Sequence, residues 1–101
     1  MDNHSSNAYV QEYGCQALGN LAFNENYQVT IAEAGGITTI LSAMKKHSWS
    51  SPVQHYGCEA LFNFAYNNDN NKMTISKAGG KFAVESAIQN HSSNIGVYEK
   101  A

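Results

Sequence analysis

VQEYGCQALGNLAFN, residues 10–24, returns as VQHYGCEALFNFAYN at residues 53–67, with 10 of the 15 positions identical at a shift of 43. A match this dense makes the chain a repeat protein, because a fixed period between about 20 and 50 residues marks stacked supersecondary units. Further along, TIAEAGG from Thr30 recurs as TISKAGG from Thr74 at a shift of 44. One residue has therefore been added in between, and the Asn-rich stretch from Asn67 to Asn71 is the natural place for it. A third register aligns NHSSN at Asn3 with the same letters at Asn90, and Val10 with Val97; its shift of 87 is the sum of the other two.

Each period reads as three helices. Val10, Gly14, Ala17, Leu18, Leu21 and Ala22 recur at helical spacing, as do Val53, Gly57, Ala60, Leu61, Phe64 and Ala65, so these sides are expected to face the core. The polar loops NENYQ and NNDNNK lead into short helices around Val29, Ile31 and Ala32, and around Met73, Ile75 and Ser76. Gly35-Gly36 and Gly79-Gly80 end them, since paired glycines admit positive φ and let the next helix fold back at close range. That next helix runs from Ile37 to Lys46, or from Phe82 to Gln89, and His47 or His91 closes it. The expected fold is all-α. A single domain, 1–101, divides into a third helix at 3–24, a complete repeat at 25–67 and a second repeat at 68–101 whose last helix is cut short.

Composition removes several classes of partner. All six basic residues are Lys and the formal net charge is -2, so no guanidinium fork and no basic field await a phosphate backbone; nucleic acid is not an expected ligand. No run of about 18 apolar residues exists, and MDNHSSNAY lacks the basic start and apolar core of a signal peptide. The expectation is a soluble cytoplasmic protein with no membrane association. Asn3-His4-Ser5 and Asn90-His91-Ser92 match the glycosylation sequon, which without a secretory signal is a chance pattern.

Nor do the reactive side chains form a chemical site. Cys15 and Cys58 occupy equivalent positions of different repeats and read as reduced core residues. His4, His47 and His91 share one repeat position near a helix end, and without an HxxxH or CxxC pairing no metal is expected. The double glycines are followed by neither GxGxxG nor a P-loop Lys, so no cofactor is expected. No nucleophile, base and orienting partner stand at a fixed spacing, which argues against an enzyme. Trp49 has no aromatic counterpart in the other registers, where Ser6 and Ser93 align; it reads as a local anchor or a hydrophobic plug.

With this helix order and period, the chain resembles the armadillo repeat family. VQEYGCQALGNLAFN and VQHYGCEALFNFAYN resemble its third helix, and IAEAGGITTILSAM and ISKAGGKFAVESAI its first and second. The resemblance implies a right-handed α-solenoid, three helices per repeat, whose third helices line a concave groove for extended peptides. The family's groove Asn is kept as Asn20 and Asn63, while Gln16 and Glu59 stand at its Trp positions, so the indole clamp on Lys stems is missing. Residues at i-3, i and i+4 share a helix face, which puts Tyr13, Gln16 and Asn20 in one column and Tyr56, Glu59 and Asn63 in the next. Phe23 and Tyr66 extend these columns, and Glu12 and His55 edge them. An Asn amide both donates to and accepts from a ligand main chain, although the same amide serves equally to bond a neighbouring helix.

The expected function is therefore a protein-protein interaction module whose partner is a protein or peptide. The alternative is a structural solenoid segment, natural or built, that forms homo-oligomers through bare repeat ends. Val10, Leu18 and Leu21 would meet a surface around Phe82, Val84 and Ile88 that a further third helix would otherwise cover. The last residues, Asn94 to Ala101, supply two turns of such a helix.

Overall fold

The computed structural model describes residues 7–91, so His4 and the turns expected at Asn94 to Ala101 lie outside the described residues. Six helices follow one another: α1 (Ala8–Ala22), α2 (Glu25–Glu33), α3 (Gly36–Lys46), α4 (Ser51–Ala65), α5 (Asp69–Lys77) and α6 (Gly80–Asn90). No strand occurs among the described residues. The two 15-residue helices, α1 and α4, are the two copies of the opening motif. No described helix is long and apolar enough to cross a membrane.

Side-chain caps start four of the helices. Asn7, Asn24, Ser50 and Asn68 each accept from a backbone N–H in the first turn, satisfying donors that have no partner inside the helix. Two residues separate α1 from α2 and three separate α4 from α5, so the added residue sits in the Asn-rich loop. Asn67 takes it up with a left-handed φ of 51°, a conformation Asn tolerates better than most residues.

The paired glycines divide two tasks. Gly35 has φ 97° and caps α3 in the left-handed region, and Gly79 does the same for α6 at 91°. Gly36 is needed for space instead: a Cβ there would lie 2.7 Å from Ile31 Cγ2, 2.9 Å from the Ile31 carbonyl and 3.1 Å from Phe64 Cζ. Thus α3 turns back against α2 while the Phe64 ring of α4 closes over the joint.

The core is centred on α3 and α4, where Ile37, Ile40, Met44, Val53 and Phe64 are fully buried. Met44 occupies the space that Gly57 leaves; a Cβ on Gly57 would come 2.5 Å from Met44 Cγ. Beside this layer α1 stacks on α4, and Gly19 approaches so closely that its own Cβ would stand 3.1 Å from Ala60 Cα.

Two expectations change. On α1 the buried line is Gln11, Cys15, Gly19 and Ala22, whereas Ala17 and Leu21 are exposed and Val10, Gly14 and Leu18 are half-buried. In α4 the equivalent Val53, Ala60 and Phe64 are buried because α4 has helices on both sides, α1 against Ala60 through Gly19 and α3 beneath Phe64 through Gly36; no described helix precedes α1. On α6, Phe82 does not share a surface with Val84, since residues two apart point about 200° apart on a helix. Phe82 is 74% exposed and lines a groove with α3, while Val84 turns toward α4.

Buried amides, which helical periodicity does not reveal, tie the layers together. Gln54 Nε2 donates to the carbonyls of Met44 (2.8 Å) and His47 (3.1 Å), closing the end of α3. Gln28 Nε2 donates to the carbonyls of Asn63 (2.7 Å) and Tyr66 (3.0 Å), and Asn71 Nδ2 to that of Phe64 (2.9 Å), at the end of α4. His91, which ends α6, lies 2.7 Å through Nε2 from the Ser48 carbonyl. A carbonyl only accepts, so Nε2 carries the proton, and in the neutral ring Nδ1 accepts from the Ser51 hydroxyl at 2.9 Å.

Leu21 and Phe64 hold the same repeat position at 46% and 0% exposure. Phe64→Ala is expected to cost about 3–5 kcal/mol through its cavity, and Leu21→Ala less than about 1 kcal/mol. Urea melts followed by circular dichroism measure both, and equal losses would mean that the α1 flank is covered in solution.

Candidate protein-binding surface

The outward faces of α1 and α4 bring the two columns side by side, in unequal environments. On α1, Tyr13 is 62% exposed, Asn20 is exposed and Gln16 is half-buried. On α4, Tyr56, Glu59 and Asn63 are all half-buried. The reason is the stacking order: the side of α4 that holds Tyr56 and Asn63 meets α1. Asn63 Nδ2 donates to the Gly19 carbonyl at 2.9 Å, so this amide bonds the neighbouring helix. Tyr56 packs against the core, with the His55 ring edge-on at 4.8 Å.

Further aromatic area flanks the columns. Tyr9, Phe23, Phe62 and Tyr66 are exposed, and the Phe62 and Tyr66 rings lie 6.0 Å apart at 45°. An aromatic that is apolar in body and polar at its tip suits a surface that is alternately wet and covered. Trp49, also exposed, meets the His47 ring edge-on at 6.0 Å, away from the columns. Charge is sorted as well. Helices α1 and α4 carry Glu12 and Glu59 and no Lys, while Lys45, Lys46, Lys72, Lys77 and Lys81 all sit on α3, α5 and α6.

Two open grooves lie away from this face. One of about 600 Å³ runs between α3 and α6 past Thr38, Leu41, Phe82 and Ala83. The other, about 450 Å³, lies between α4, α5 and α6 and is lined by Cys58, Leu61, Phe62, Ala65, Ile75 and Val84. Ile88 is half-buried on α6, at the repeat position that Met44 fills in α3. Among the described residues no three of His, Cys, Asp or Glu come together as metal ligands. Both thiols are free and buried, and desolvation pushes Cys15 up to about 12 and Cys58 up to about 11, so neither is a thiolate near neutrality. Compared with known proteins, the chain matches no protein-family model, no curated protein and no solved structure.

Asn63→Ala is expected to lower stability by about 1 kcal/mol, because it removes the hydrogen bond between the two helices and leaves the Gly19 carbonyl with the Phe23 N–H alone, whereas exposed Asn20→Ala should stay within about 0.5 kcal/mol of the parent. Equal effects in denaturant titrations would contradict the asymmetry of the columns.

The thiols set a pH dependence of definite sign. As pH rises past the ordinary value of 9.0, unfolded cysteines lose their protons while buried Cys15 and Cys58 keep theirs up to about 12 and 11. The native state then binds more protons than the unfolded one, so stability falls with rising pH above about 9. The melting temperature of Cys15→Ala/Cys58→Ala should lie below the parent's by a constant amount up to about that pH, and the gap should narrow above it. A constant gap across the whole range would remove this assignment.

Proposed function

We propose that the chain is an armadillo-like segment, a right-handed α-solenoid of three-helix repeats, that binds an extended polypeptide across the outward faces of α1 and α4. One observation carries this reading: two copies of a single helix face stand side by side, and that of α1 leaves Tyr13 and Asn20 in water. An extended strand repeats its main-chain groups every 6–7 Å or so, and an array of equivalent helices answers with equivalent side chains. Asn20 supplies a donor and an acceptor to the ligand main chain. Asn63 has its Nδ2 on Gly19, which leaves its Oδ1 to accept from a ligand N–H. Gln16 and Glu59 stand midway along each column, and Tyr13, Phe23 and Tyr66 contribute apolar area.

The charge pattern narrows the ligand. A surface with Glu12 and Glu59 and no Lys on its two helices disfavours nucleic acid and acidic peptides, and accepts neutral or Lys-bearing ones. Each such rim charge is worth at most about 1 kcal/mol in water, so selectivity rests on the amides and aromatic rings. Binding in this way needs no nucleophile and no cofactor.

The test begins with linear peptides selected from a random library against the folded chain. For any peptide so found, Asn20→Ala is expected to weaken binding by about 1–3 kcal/mol, the cost of an unmet buried polar partner. Tyr13→Ala should weaken it comparably, without changing the melting temperature by more than a few degrees. Fluorescence anisotropy reads both. Peptides that bind Asn20→Ala/Tyr13→Ala as tightly as the parent would place the ligand elsewhere.

A further inference from the structure

The two flanks of the α1–α4 pair are the two halves of one interface. On the α1 flank, Val10, Ala17 and Leu21 are half-buried or exposed, whereas their repeat mates on α4, Val53, Ala60 and Phe64, are each 0% exposed. On the α4 flank the situation reverses. Cys15, Gly19 and Ala22 of α1 are buried beneath α4; of their mates, which all line the groove between α4, α5 and α6, Phe62 is exposed and Ala65 half-buried, while Cys58 is buried at its floor. Helix α6 adds Val84 to the groove and carries half-buried Ile88 one turn on; their mates Ile40 and Met44 are buried in the layer beneath α4. The groove thus offers an incoming helix what α1 and α3 offer α4, and the flank of α1 offers what α4 presents.

One residue breaks the correspondence. Gly19 lies at the closest point of the internal seam, where a Cβ would stand 3.1 Å from Ala60 Cα and 3.2 Å from Ala60 Cβ, so at that spacing nothing beyond hydrogen fits without movement. The mate of Gly19 on the open flank is Phe62, 60% exposed and leaning on Tyr66.

We infer that a second copy of this chain docks its α1 flank, through Val10, Ala17 and Leu21, into the groove beside α4 in the register of the internal α1–α4 seam, and that Phe62 opposes this docking. The contact is heterologous, each copy using one flank and leaving the other available, so it extends head to tail. Phe62 keeps it weak by standing where the incoming Ala17 must come, and the copy is admitted only as far as the ring swings aside. The docking uses the flanks of the helix pair, not the outward faces assigned to a peptide, and the two readings stand or fall separately.

Sedimentation velocity over a dilution series of the full chain tests it. Phe62→Gly, which restores the glycine of the internal seam, is expected to lower the apparent dissociation constant about tenfold or more relative to the parent. Phe62→Ala should have a smaller effect in the same direction, because a Cβ at this spacing fits only if Ala17 gives by a few tenths of an ångström. Leu21→Lys placed on Phe62→Gly should return association to the parental level or below, with the helical circular dichroism spectrum retained as evidence of folding. If glycine weakens α4 enough to unfold it, Phe62→Ala and Phe62→Ala/Leu21→Lys carry the same comparison. The inference is overturned if the Phe62 variants associate no more tightly than the parent, including the case in which all remain monomeric at about 100 μM, or if Leu21→Lys leaves their association intact.

Discussion

The contact of Gly19 with Ala60 is what the rest of the structure depends on. Helices with a side chain at every crossing position stand about 8–10 Å apart; a glycine facing an alanine lets two backbones meet at the near end of that range. The Asn63 amide bridges to the Gly19 carbonyl only because the helices are this close. The proximity in turn buries Cys15 and Ala22 on one side and Ala60 on the other. Everything on the outward face, including the distance between the two columns of polar and aromatic side chains, follows from that spacing.

Much of this was legible in the letters. Self-alignment locates all six helices, the left-handed glycines and the loop that holds the added residue, because each rests on local chemistry that is written twice. Burial was less legible on α1. Hydrophobic spacing there marks Ala17 and Leu21 as core, as their mates Ala60 and Phe64 are where α1 and α3 lie against α4. Periodicity reports which face a residue belongs to, not whether that face has a neighbour. The pairing of Phe82 with Val84 failed for a simpler reason: proximity in sequence stood in for helical angle, and comparison with Thr38 and Ile40 would have separated them.

The polar interior was the least legible part. Gln28, Gln54 and Asn71 look like surface residues by type, and only the carbonyls they reach, on another helix or at its end, explain their burial. Such partners are set by tertiary approach and leave no periodic trace. The site residues show a related ambiguity. Asn20 and Asn63 are equivalent letters in equivalent frames, yet one faces water and the other bonds a neighbouring helix, since repeat position fixes orientation and the adjoining helix fixes use.

The amide clasps also bear on how the molecule responds to its medium. The amides of Gln28, Gln54, Asn63 and Asn71, uncharged at every pH a cell offers, make polar bonds that join one helix to another. The ion pairs of Lys72 with Asp69 and of Lys81 with Glu85 are exposed, and each lies within a single helix. Salt screens charges but not neutral dipoles buried from water, so added electrolyte leaves these amide bonds as they are. Clasps of this kind hold the ends of α3 and α4 alike in dilute and in concentrated ionic surroundings.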